Sequence, residues 1–193
     1  MNKLLLILGS VIMTYGVGEM AIGDSSEEQS ASYQILEGDT LKVLEPKPEH
    51  ASETFVIVNL LNRYHYRKAT LNDSLSSIVY DNYFESLDPN KSYFLQSDLD
   101  YFEKYRYTID DHLPEGNLDF AYQVFSIYRE RSLERMDYMH EVLKIEPNFD
   151  EEEFFETDRE KVPWAKNREE LDDVWKKIIK NQALSFKISG KDW

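Results

Sequence analysis

The stretch from Asn117 to Ile145 contains neither proline nor glycine, and it constrains the fold more than any other part of the chain. Ala121, Val124, Phe125, Tyr128, Ser132, Arg135, Met136, Met139, Val142 and Leu143 recur at steps of three and four, which is one face of a helix. Arg129, Glu130, Glu134, Asp137 and Glu141 fall on the other face. Asn117 is suited to cap the N-terminus, and Asp119 puts a negative charge where the helix dipole favours one. Unbroken, such a helix is roughly 40 Å long at about 1.5 Å per residue. Apolar on one side only, it requires other elements packed along its length.

The flanking segments can supply them. Ser52 is placed to cap a helix over 53–68, with Phe55, Val58, Leu61 and His65 inward and Leu60 and Tyr64 widening the face. Asn72 caps a second helix over 73–87, with Leu75, Ile78, Val79, Tyr83 and Leu87 inward. Asp88-Pro89-Asn90 has turn chemistry, and Tyr93-Phe94-Leu95 is a short extended patch. Ser97 precedes a third helix over 98–111, with Leu99, Phe102, Tyr105, Arg106 and Ile109 on one side. Pro147 closes the long helix, and an acidic segment follows to Arg159, read as a loop with a helical turn. Asn167 with Glu170 opens a last helix carrying Leu171, Val174, Trp175, Ile178 and Ile179 on one face, and Gly190 terminates it. Trp175 is the expected anchor of that face. No period-two alternation calls for a sheet. The expectation is an all-α domain of about five helices, irregular in arrangement, with an extended N-terminal arm held by Pro46 and Pro48.

Ahead of the arm, Lys3 and the apolar run from Leu4 to Val17 have the form of a secretory signal. At about 14 residues the run is too short to span a bilayer, which takes roughly 20. Ala21 and Gly23 set a cleavage site. The expected organisation is a signal peptide over 1–23, a disordered polar leader over 24–43 and a helical domain over 44–193. The product is then periplasmic, with no stable membrane anchor once the signal is removed.

A net charge of −15 argues against nucleic acid as a partner, because binding phosphate needs basic surface. The absence of cysteine excludes disulfides, thiolate metal sites and a cysteine nucleophile. The four histidines, His50, His65, His112 and His140, form no metal-binding spacing; Asp137 with His140 and Asp110-Asp111-His112 are the nearest approaches. Ser185 and Lys187 are close in sequence but do not share a helical face. No nucleophile elbow and no phosphate loop is present. No catalytic, metal or cofactor-binding residues are therefore assigned. Aromatic residues are dense at Tyr64-His65-Tyr66, Tyr80, Tyr83, Phe84 and Tyr93-Phe94. They suit a core, or a groove for an apolar peptide. From its residues alone the chain reads as an exported, acidic, helical interaction or scaffold domain.

Several stretches together resemble the N-terminal domain of the bacterial tail-specific proteases, or C-terminal processing peptidases. They are Leu44-Glu-Pro-Lys-Pro-Glu-His50, Leu61-Asn-Arg-Tyr-His-Tyr66, Leu87-Asp-Pro-Asn-Lys-Ser-Tyr-Phe-Leu-Gln-Ser-Asp98, Tyr128-Arg-Glu-Arg131, Asp158-Arg-Glu-Lys-Val-Pro-Trp164 and Leu171-Asp-Asp-Val-Trp-Lys-Lys177. The resemblance implies a periplasmic serine peptidase that recognises protein C-terminal tails through a PDZ domain and cleaves them with a Ser–Lys pair. It also implies a helical N-terminal domain that helps form the body and docks a lipoprotein adaptor. No residue here matches the catalytic Ser or Lys, and the chain stops where the PDZ and catalytic parts would follow. The expected role is a non-catalytic scaffold and docking part, inactive alone, that packs on a PDZ–protease core in cis or in trans. The alternative is a stand-alone periplasmic interaction module.

Overall fold

The computed structural model describes residues 43–67 and 70–190. The signal peptide and all but the last residue of the leader lie outside that range. Among the described residues the fold is all-α: α1 (Pro48–Tyr64), α2 (Asp73–Leu87), α3 (Gln96–Phe102), α4 (Ile109–His112), α5 (Asp119–Val142) and α6 (Arg168–Ile188), with 3₁₀ turns at Glu103–Tyr105 and Leu113–Glu115. The extended arm is shorter than expected, Val43 to Lys47, because Pro48 opens α1 rather than prolonging the arm. Proline at the first helical position loses no hydrogen bond, and its fixed φ already suits the helix. The cap is thus Lys47 rather than Ser52, and the His50 ring reaches back to accept the Lys47 N–H through Nδ1 at 3.2 Å.

Capping chemistry read from the sequence holds for α2 and α6. The Asn72 side chain accepts the Leu75 N–H at 3.0 Å, and the Asn167 side chain accepts that of Glu170 at 2.9 Å. Gly190 ends α6 at φ 72°, in the left-handed region that suits glycine. Asn117, however, accepts from Asp119 N–H at 2.8 Å in a tight turn, and α5 starts one residue later than its cap chemistry suggests, with Leu118 at the cap. The expected third helix breaks after Phe102. The Ile109 N–H donates to Ser76 Oγ of α2 at 2.9 Å instead of continuing a helical ladder. Arg106 meanwhile turns to α2, bonding Asp81 at 2.8 Å and Ser77 at 3.1 Å. The acidic segment after Pro147 contains no helical turn.

The core is a cluster of Tyr80, Phe84, Phe94, Phe102, Ile109, Phe120 and Val124. Phe84 sits at its centre, with ring contacts to Tyr80, Phe94, Phe102 and Phe120. Aromatic pairs of this kind add roughly 0.5–1.5 kcal/mol each beyond area burial. The buried tyrosine keeps its polar end satisfied: Tyr80 donates to Leu99 O at 2.6 Å. Beside it Tyr83 donates to Ala121 O at 2.9 Å. Burial raises both hydroxyls well above their ordinary pKa of 10.0. The inward face of α2 is rotated from the one expected. Ser76, Tyr80 and Phe84 are buried, and Ile78 faces outward.

Gly116 locks α1 to this core. Its φ is 73°, and a Cβ placed there would lie 2.8 Å from Ala51 of α1. Glycine is therefore required twice, for the backbone conformation and for the close approach.

Candidate docking surface

The stretches that carry the family resemblance are far apart in sequence, yet the fold brings most of them into one clasp. Asp88 is its hub. Its buried carboxylate accepts the N–H groups of Ser92 at 2.9 Å, Tyr93 at 2.8 Å and Phe94 at 3.1 Å, which shapes the loop after α2. That loop is then tied to the segment before α6. Lys91 Nζ donates to Val162 O at 2.8 Å, Arg159 Nε donates to Asn90 O at 2.9 Å, and Gln96 N donates to Ala165 O at 2.8 Å. Leu95 and Ala165 form an isolated parallel bridge, the nearest approach to sheet among the described residues. From α6, Trp175 donates its indole N–H to Ser92 O at 2.5 Å and meets Tyr93 edge-on. Trp175 is thus a half-buried clamp on the loop rather than a fully buried anchor.

Ion pairs hold α5 in the same clasp. Arg131 grips the Asp98 carboxylate through two donors, at 2.9 and 2.8 Å, and Asp98 also accepts the Leu95 N–H at 2.9 Å to start α3. The hydrogen bonds to Asp98 raise the Arg131 pKa against the opposing effect of burial. One turn further along, the buried Arg135 pairs with Asp172 of α6 and stacks over the Tyr138 ring. A forked, two-point contact fixes orientation as well as charge, which suits rigid positioning of three helices.

The clasp's polar groups are engaged in holding the fold. Ser92 lies against Asp88, and its neighbour Lys91 points away to Val162, so the two make no Ser–Lys pair. Ser185 bonds the Asn181 carbonyl at 2.9 Å, and Lys187 lies over Phe149. His50 meets the Tyr122 hydroxyl at 2.7 Å and so links α1 to α5. Asp137 and His140 stand on the outer end of α5, and no carboxylate–histidine group with metal-holding geometry occurs among the described residues.

Apolar surface remains open at several places, among them Leu133 and Met136 on α5, Phe154, and Leu184, Phe186 and Ile188 on α6, and it includes a row on α1. Thr54 and Val58 are buried, but Phe55, Val56, Leu60 and Tyr64 are 55, 53, 52 and 76% exposed. Phe55, Leu60 and Tyr64 therefore do not belong to the inward face expected for this helix. The signal was legible: Phe55-Val-Ile-Val-Asn-Leu-Leu61 is apolar on all sides, and one domain face cannot cover it all. Of the dense aromatic residues, Tyr80, Phe84 and Phe94 are core, while Tyr64 and Tyr66 are exposed. An apolar hollow lies between the Val43–Pro46 arm and α5, floored by Phe102 and Ile127.

Comparison with known proteins agrees with the resemblance. The family model described as "Tail specific protease N-terminal domain" matches residues 57–193. A protein of Haemophilus influenzae, "Tail-specific protease", is 33% identical over 134 residues. That match takes in 69% of this chain but 19% of the relative, so the chain spans about a fifth of the length of the curated protein it matches.

Proposed function

This chain belongs to the tail-specific protease N-terminal domain family, and on that premise we propose that it is the non-catalytic scaffold and docking part of a periplasmic serine protease acting on protein C-terminal tails. The observation that supports this reading is the division of labour in the polar groups. Asp88, Asp98, Arg131, Arg135 and Asp172 are spent on rigidity, while α1 leaves a row of large apolar side chains open. A rigid body with an uncovered apolar face is what a docking part requires, since a preformed surface loses little entropy on binding. In this proposal the nucleophile, its base and the tail-binding PDZ domain are supplied by a protease core, and a lipoprotein adaptor is a further candidate partner.

The test is a tail-cleavage assay on the purified 193-residue chain, alone and combined with a PDZ–protease core. The expected result is no cleavage above buffer by the chain alone, and association with the core in a pull-down. Cleavage by the chain alone that disappears on changing a single serine overturns the proposal. No association with the core favours a stand-alone interaction module instead.

A further inference from the structure

We propose that the polar hollow between the outer end of α5 and the start of α6 binds a lysine of an extended protein segment, its ammonium meeting Asp137 and Glu141 and its main-chain carbonyl accepting from Arg135. The site is independent of the functional reading above and stands or falls without it. The hollow measures about 440 Å³, within the range of ligand clefts, and Asp137, His140 and Glu141 of α5 face Arg168 and Asp172 of α6 across it. Arg135 forms part of its wall. That residue is 2% exposed, yet its Nε–H has no acceptor among the described residues. The rest of its guanidinium is engaged, on the Asp172 carboxylate and over the Tyr138 ring. Leaving a buried donor unmet is costly, and an oxygen brought into the hollow supplies the missing acceptor.

Charge selects what the occupant carries. Glu134 is shared between Arg131 and Arg168, at 3.0 Å from each, and Asp172 is taken by Arg135. Asp137 joins none of these ion pairs, and Glu141, one helical turn on, has only the exposed Lys144 at 2.6 Å. Like charges at positions i and i+4 of a helix repel each other, and a cation between them relieves the repulsion. Around the hollow Glu134, Asp137, Glu141 and Asp172 outweigh Arg135 and Arg168, and the whole chain carries −15, so an anion is disfavoured and a cation is drawn in. An ammonium is compact, with three donors free to turn, so it can serve two carboxylates a helical turn apart; a guanidinium fork is matched to one. The acceptor that Arg135 lacks is best a neutral carbonyl, which adds no negative charge to a site already rich in it. A lysine within a peptide carries both groups.

An NMR titration of the isotope-labelled 193-residue chain tests this. The probe is N-acetyl-Gly-Lys-Gly-amide, whose single charge is the ammonium. Binding is read at the Arg135 Nε–H resonance, assigned by its loss in Arg135→Lys, and at the backbone amides of residues 134–141. The expected result is a saturable shift of both at millimolar peptide. Asp137→Asn weakens binding about three- to five-fold, as loss of one exposed charge pair should. Glu152→Gln, in the acidic segment outside the hollow, leaves binding unchanged. The same peptide with its lysine acetylated does not bind. Butylamine, an ammonium without a carbonyl, moves the amides near Asp137 and leaves the Arg135 Nε–H in place. No saturable shift of the Arg135 Nε–H overturns the proposal and makes water the occupant of the hollow. Equal binding of the acetylated peptide overturns it as well, because the carboxylates then read no charge. Equal weakening by Asp137→Asn and Glu152→Gln also overturns it, reducing the effect to general attraction by an acidic chain.

Discussion

The two halves of α5 are held in opposite ways. From Phe120 to Tyr128 the helix packs by rings and branched side chains: Phe120 touches Tyr80, Tyr83, Phe84, Phe102 and Tyr105, and Val124 is fully buried. From Arg131 onward the same inward stripe is ionic, with Arg131 on Asp98 and Arg135 on Asp172. The apolar half draws its stability from area removed from water and is tolerant of direction. The ionic half contributes less net free energy, because two desolvated charges must first be repaid by their attraction. It contributes geometry in return, since a forked contact is satisfied in one orientation only. The difference teaches that one helix can carry a stabilising end and an orienting end without any change in its periodicity.

The largest expected effect breaks the apolar half. Phe84→Ala removes the ring at the centre of the cluster and should cost about 3–5 kcal/mol in chemical denaturation. A loss below about 1 kcal/mol would mean the cluster relaxes around the cavity and that the contrast between the halves is overstated.

The next effect concerns the ionic half. Asp172→Ala leaves Arg135 buried without its partner and should cost about 3 kcal/mol. The double replacement Arg135→Met with Asp172→Leu should recover most of that loss, because no uncompensated charge remains. A double-mutant cycle measures both. Equal destabilisation by the single and double variants would show that the pair contributes packing rather than orientation.

Tyr83→Phe sharpens the apolar side of the comparison at smaller scale. Losing the bond to Ala121 O should cost about 1 kcal/mol near neutral pH. The pH dependence has a definite sign. The folded pKa of Tyr83, raised by burial, lies above the ordinary 10.0, so the folded state holds the proton more tightly. Its contribution is fully present below pH 10 and falls as pH rises beyond that value. A series of denaturation midpoints between neutral and strongly alkaline pH should slope downward above pH 10. The slope should be shallower in Tyr83→Phe, with Tyr80, Tyr93, Tyr122 and Tyr138, all also raised by burial, carrying the remainder.

The smallest effect is expected at α1. Val56→Ser and Leu60→Ser should each change the stability of the 193-residue chain by less than about 0.5 kcal/mol, because both side chains already face solvent. Losses near those of Phe84→Ala would place that row inside the domain's own core.

These contrasts separate what was legible beforehand. The all-α class, the capping of α2 by Asn72 and of α6 by Asn167, and the stop at Gly190 follow from short-range chemistry. A side-chain oxygen three residues from an orphan N–H, or a residue free to take positive φ, acts within one turn. The inward placement of Arg135 was also visible, because periodicity assigns a face whatever the residue type. Phe120 and Arg131 also face inward, whereas Met136 and Leu143, which the same periodicity assigns to the inward stripe, are exposed.

The sequence alone determined the helical class, the long central helix, two of the caps and, through several dispersed motifs, the family to which the chain belongs. Only the tertiary structure decided what those motifs do. Asp88 looked like a turn former and is the hub of three backbone hydrogen bonds. Trp175 looked like a core anchor and clamps the loop at Ser92, 83 positions away. The third helix ends at Phe102, and the Ile109 N–H that opens the next one finds its acceptor in Ser76, on a different element. Local propensity acts over three or four residues. The partners that redirect Ile109 and Trp175 lie 33 and 83 positions distant along the chain, and proximity of that kind exists only once the chain has folded.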